Sequence, residues 1–216
     1  MVNRREEKKR EIRYTNAKEV ADKQNSGFEL SCITLPKGVE LFGWKREGLY
    51  KINVIPFFVG NGNPMADEGM VHYERTYWSH KNVGPSNKSE CCIAKTFGKR
   101  RCPVCEHVKE LEKQGSDKDT INAYRPKKRQ LWILEDVTNT TEKEKGFQVH
   151  EGPYTNGLGE LIDAKIDLTE DDDPYRKFFH LEGGQTLWVS VKQDSYNGRT
   201  FYKPVNVEMK SRKDLP

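Results

Sequence analysis

The chain of 216 residues contains no run of 18 apolar residues, which excludes a membrane-spanning helix. No apolar stretch follows the charged start from Met1 to Arg10, so no secretory signal is read and an intracellular, non-secreted protein is expected. Cysteine is scarce: there are five, and four of them (Cys91, Cys92, Cys102 and Cys105) fall within fifteen residues. Without a secretory signal, such clustering points to metal and away from a disulfide framework. Internal repeats and low-complexity tracts are absent. No P-loop, Ser-His-Asp order or paired-carboxylate motif stands out, which removes the common routes to nucleotide hydrolysis and acyl or glycosyl transfer. Apolar residues make up only 34% of the chain and the mean hydropathy is −0.90. Nine Tyr, nine Phe and four Trp can still fill a core, because each buries a large area.

The net charge of +4 is small, but it is unevenly placed. Residues 71–132 hold 14 Lys/Arg against 7 Asp/Glu, a balance of +7, and the rest of the chain is slightly acidic. One positive segment in an otherwise acidic protein fits a surface that meets a polyanion.

Residues 1–26 alternate charges without an apolar stripe and are expected to form an arm outside the core. Alternation then predicts strands over 28–35 and 48–57, with Cys32 on the face of Phe28 and Leu30 as a small buried hydrophobe. A turn cluster at 60–64 precedes a long strand over about 70–80. Glu106 to Gln114 predicts a short helix stopped by Gly115, and 130–137 a buried strand. Residues 139–159 look loop-rich, and 170–174 form an acidic turn. The clearest hairpin runs over 185–191 and 199–209 about Asn197-Gly198. Many short strands and few helices predict a mainly β barrel or sandwich carrying insertions.

The cysteines read as His80-x11-Cys92-x9-Cys102-x2-Cys105. A Cys-x2-Cys knuckle leading into a helix turns two thiolates toward one ion, and two upstream ligands complete a closed Cys₃His shell of the structural zinc type. Cys91 and Cys92 point apart on an extended chain, so one of them ligates. His72, His80 and His107 compete for the nitrogen position.

Beside these ligands lie cations mixed with aromatics. Lys95, Phe97, Lys99, Arg100 and Arg101 form a loop pinned at both ends by the proposed ligands. Arg75 and Tyr77 share a strand face, with Lys81 just beyond, and Arg125, Lys127, Lys128, Arg129 and Trp132 repeat the theme downstream. Cations neutralise phosphates and exposed rings stack unpaired bases, so the combination predicts single-stranded nucleic acid as the partner.

In this order, these residues resemble the single-stranded DNA-binding proteins of tailed bacteriophages, the helix-destabilising replication type. The resemblance rests on Cys92-x9-Cys102-x2-Cys105, residues 51–56, 92–99, 125–132 and 181–184, and the closing hairpin. It implies a five-stranded OB-fold barrel over 27–212, an inserted zinc subdomain over 81–124, and His80, Cys92, Cys102 and Cys105 on a structural Zn²⁺. It further implies a non-enzymatic protein that coats single-stranded DNA without sequence preference in replication, recombination or repair, in the cytoplasm of an infected bacterium. Self-association through the 1–26 arm and contacts with replication proteins follow from the same resemblance. The sequence departs from the family pattern in three places: eleven residues, not twelve, separate His80 from Cys92, Glu11 stands where hydroxyl residues follow the basic arm, and residues 210–216 are not acidic.

An enzyme reading competes. His72 and Glu74 followed by Cys102 and Cys105 mimic the zinc deaminase pattern H-x-E…P-C-x-x-C, in which the glutamate shuttles protons. Against it, the proline follows Cys102, the His-x-Glu falls on a strand, and Cys92 is left without a role.

Overall fold

Residues 48–55 alternate Tyr50, Ile52 and Val54 inward with Leu49 and Lys51 outward, and this period of two makes them the strand from which the sheet is built. A computed structural model describes residues 32–85, 87–98, 101–196 and 198–212. The strands are β1 (Glu40–Phe42), β2 (Gly48–Ile55), β3 (Phe57–Phe58), β4 (Val71–His72), β5 (Glu74–Val83), β6 (Lys88–Cys91), β7 (Lys127–Asp136), β8 (Phe147–Pro153), β9 (Gln185–Tyr196) and β10 (Arg199–Ser211). The helices are α1 (Ile93–Phe97), α2 (Pro103–Lys113), α3 (Lys118–Tyr124), α4 (Thr140–Lys143) and α5 (Leu158–Ile166), with a 3₁₀ turn at Pro174–Lys177. The protein is mainly β, with a curled half-barrel sheet and few helices.

The sheet runs β1-β8-β7-β2-β9-β10, and β5 joins it through β7 and carries β6. All pairings are antiparallel except β1 with β8. One edge of β7 is divided: Lys127 to Trp132 pair with β5, and Ile133 to Asp136 pair with β2. β5 therefore continues the line of β2 along β7, and residues 56–73 loop out between them as the small β3–β4 ribbon.

Ile52, Val54, Leu134, Leu187 and Val189 are fully buried between the sheet and α5, where Leu158 and Ile162 close the core with Phe178. Full burial of each such side chain contributes about 1.5–3 kcal/mol. Glu74 adds a buried polar tie: it accepts from the Thr76 hydroxyl at 3.0 Å and from the Gln130 amide. Burial raises its carboxyl above the usual range. Gln130 in turn packs on Gly159 of α5, where an added Cβ would lie 2.0 Å from Gln130 Oε1. Only glycine lets α5 approach that closely.

Several expected elements differ. Residues 32–35 are irregular, and the rest of the strand expected from 28 lies outside the described residues, as does the 1–26 arm. The strand expected over 48–57 stops at Ile55 because Pro56 has no N–H for the ladder. The long strand near 70–80 breaks at Tyr73 into β4 and β5. The stretch 139–159, read as loop, contains α4, β8 and the start of α5. The buried face of β8 is Gln148, His150 and Gly152, so no hydrophobic alternation marks it.

Candidate metal centre and nucleic-acid interface

Four side chains from three elements converge. His80 lies near the end of β5, Cys92 caps the N-terminus of α1, Cys102 caps α2, and Cys105 sits in its first turn. Pro103 at the first position of α2 fixes the helical entry of the knuckle. α1 ends at Gly98, whose φ of +72° turns the chain back through the left-handed region.

The Sγ and Nε2 atoms of the four residues all lie within 4.8 Å of one another. Cys102 Sγ and Cys105 Sγ stand 3.4 and 3.6 Å from His80 Nε2, and Cys92 Sγ is 3.5 Å from Cys105 Sγ. Metal bonds of about 2.0–2.3 Å in a tetrahedron give ligand separations of about 3.5–3.8 Å, so the spacing suits one ion held by all four. His80 and Cys92 are fully buried, and no disulfide joins the cysteines. The group can therefore bind a metal ion.

The histidine is also oriented. His80 Nδ1 lies 2.6 Å from the carbonyl oxygen of Tyr124, at the C-terminus of α3. A proton on Nδ1 donates to that carbonyl and leaves the Nε2 lone pair facing the cysteines. Burial holds the His80 imidazole below its ordinary value, which keeps it neutral as a ligand must be. Burial raises the Cys92 thiol, and raises Cys105 to about 12 with Cys92 adding to the effect. Burial also opposes ionisation of Cys102, but the N–H groups of Cys105 and Val104 outweigh it and bring that thiol below its ordinary value. A dication binding here displaces protons from the cysteines.

The structure resolves the competing ligands. Cys91 turns away from the group toward the Thr96 hydroxyl at 3.5 Å. His107 is exposed and packs edge-on against Tyr124. His72 is not a member of the group, and its Nε2 is buried without a hydrogen-bond partner. Glu74 is engaged by Thr76 and Gln130. The deaminase assignment of His72 and Glu74 thus loses its geometry: the histidine that faces the cysteines is His80.

The cation and aromatic set divides. Lys95, Phe97 and Lys127 are exposed, with Phe97 at 51%. Arg101 and Arg125 are exposed but engaged with Glu106 and Glu112. Arg75 and Lys81 are half-buried on β5, and Lys128 rests 3.6 Å from the Tyr154 ring centroid. Lys99 and Arg100 lie outside the described residues. Of three further expected contact residues, two are buried and the third is half-buried and paired. Trp132 is 2% exposed in the core, against Tyr73 and Phe178. Tyr77 is buried, and its hydroxyl donates to Glu151. Arg129 donates to the same carboxylate at 2.7 and 2.9 Å. This trio joins β5, β7 and β8, a structural tie where a ligand contact was expected.

Beside that tie, a trough of about 620 Å³ opens between β1–β8 and the outer half of the β9–β10 hairpin. Trp44, His150, Glu151, Phe201, Tyr202 and Lys203 are among its walls. His150 is buried with Nδ1 unpartnered, and burial lowers its imidazole to about 4. None of the wall aromatics was expected from sequence as a ligand contact. The run Phe201-Tyr202-Lys203 carried the same aromatic-cation signal as residues 124–129, but its place in a hairpin made it read as structure. No protein-family model matches the chain, and no curated protein matches it.

Proposed function

We propose that the protein binds and coats single-stranded DNA without sequence preference, with a structural zinc ion ordering the elements beside the binding surface. The observation that carries this reading is the adjacency of trough and metal group. Glu151 lines the trough and bonds Tyr77, three residues before His80 on the same strand. Trp44, Phe201 and Tyr202 supply ring faces and Lys203 a cation in a trough open enough for a strand. Stacking of unpaired bases on such rings is worth about 1–3 kcal/mol per base.

Two further features support it. The path β8-β7-β2-β9-β10, with α5 between its third and fourth strands in chain order, fits an OB barrel whose seam between β8 and β10 is left open for β1 and the trough. Three thiolates and one imidazole in a closed shell fit zinc, with no position left for a reacting water. Zinc would cross-link the four ligands here, and the chain's own residues would bind the strand. The phage replication setting, and self-association along the strand, follow from the resemblance set out above.

The test is a fluorescence titration with oligo-dT and with duplex, before and after zinc removal. Single strands quench Trp and Tyr, and if five or six phosphates are neutralised the log–log salt slope is about −4. Zinc removal weakens binding. Salt-insensitive binding, or equal preference for duplex, overturns the proposal.

A further inference from the structure

The outer face of β2, β9 and β10 carries a feature that neither the metal group nor the trough uses. Trp188 stands half-buried on β9, on the face opposite the core residues Leu187 and Val189. Lys51 of β2 and Glu208 of β10 are its register partners on either side. The Lys51 ammonium lies 4.5 Å from the indole ring centroid, and the Lys210 ammonium 3.7 Å. Each flanking strand thus lends one cation to the same ring, and the two nitrogens stand within about 8 Å of each other. The ring holds both long side chains in place, so an incoming anion orders less on binding. Of the nearby carboxylates, Glu208 at 3.6 Å from Lys210 offsets only one charge.

The identity of the anion follows from where the cations lead. Lys192 lies four residues beyond Trp188 on the same face of β9, opposite Lys203 of β10. Lys203 lines the trough, where its ammonium pairs with the Asp194 carboxylate at 2.5 Å. The cations therefore form a row from the trough, along the hairpin, to Trp188. A row of separated positive charges continuous with the trough fits the repeating charge of a phosphodiester backbone.

We propose that the Lys51–Trp188–Lys210 cluster is a second contact for the phosphate backbone of a nucleic-acid strand leaving the trough. This rests on the nucleic-acid reading above and extends its footprint onto the outer face of the sheet. The lysines cover the indole, so the cluster takes phosphate and does not stack bases, and base identity does not affect it.

The experiment compares oligo-dT of about 6 and about 16 nucleotides, the span of site sizes known for one OB unit. For the Lys51→Gln/Lys210→Gln double variant, affinity for the long strand falls about tenfold at low salt. Two lost phosphate contacts make its salt slope shallower by about 1.4. Affinity for the short strand is unchanged, and Lys51→Arg/Lys210→Arg retains both affinities. Zinc content and thermal transition match the wild type, which excludes misfolding as the cause. An unchanged long-strand affinity and slope, with wild type binding both lengths, overturns this inference alone. A loss confined to binding of a poly-glutamate peptide overturns it in favour of an acidic protein partner. Failure of the wild type to bind either strand overturns the nucleic-acid reading and this inference with it.

Discussion

The half-barrel and the segment spliced into it, from β5 to α3, are two solutions to the same problem of holding strands and helices together. In the half-barrel, Ile52, Val54, Leu134, Leu187 and Val189 share one buried core cluster with Leu158 and Ile162 of α5, and stability is spread over many side chains. Among its described residues, the spliced segment has three short helices and, besides its cysteines, few buried apolar side chains: Tyr77, Val108 and Ile121. Four side chains that could hold a metal ion gather there. A region with little apolar surface to bury can gain its cohesion from one bound ion, and such a region would then depend on that ion.

The largest effect separates the two regions at once. Cys102→Ser, or exhaustive chelation, removes the metal, whose binding in small zinc domains amounts to about 10–16 kcal/mol. Limited proteolysis then cuts within 84–124 while β9 and β10 stay protected. Equal loss of protection in both regions would merge the two into one cooperative unit. Next, Phe178→Ala empties a fully buried core site and costs about 3–5 kcal/mol in denaturant melts. Metal stoichiometry in the folded variant stays at one, and a fall at low denaturant would break the comparison.

Acid sharpens the contrast from the half-barrel side. The buried His150 titrates near 4, below the ordinary 6.5, because burial disfavours its charged form. Between those values the unfolded chain takes up the proton and the folded one does not. The stabilisation is therefore complete above pH 6.5 and lost as pH falls toward 4, by about 3 kcal/mol. His150→Gln removes this part of the pH profile, visible as the difference between the two stability curves. At the small end, Arg101→Gln breaks the exposed pair with Glu106, and the thermal transition moves by less than about 0.5 kcal/mol equivalent.

Much of the metal group was legible because ligand chemistry is sparse. Few residue types bind zinc, and Cys102-x2-Cys105 leading into a helix narrows them further. Only the fold could choose between Cys91 and Cys92, or among three histidines, since that depends on which way β6 and β5 turn their side chains. The hairpin and β2 were legible through alternation and the Asn-Gly turn signal. β8 was not, because its inward face is Gln148, His150 and Gly152, a polar stripe that mimics a loop. Exposure within the expected nucleic-acid contact set was not legible residue by residue for a related reason. Tyr77, Arg129 and Trp132 look in sequence like ligand contacts, but Tyr77 and Arg129 complete a half-buried tie with Glu151 and Trp132 fills core. Sequence shows which chemistry a side chain has and not whether its own protein has already used it.

The divided edge of β7 places the frontier between the two regions inside a single strand. Trp132 is the last residue laddered to β5 and Ile133 the first laddered to β2. Amide hydrogens on either side of that peptide bond therefore keep different clocks. On the edge shared by β5 and β2, amides toward Lys127 would exchange at a rate that follows metal loading, and those toward Asp136 at a rate set by global unfolding.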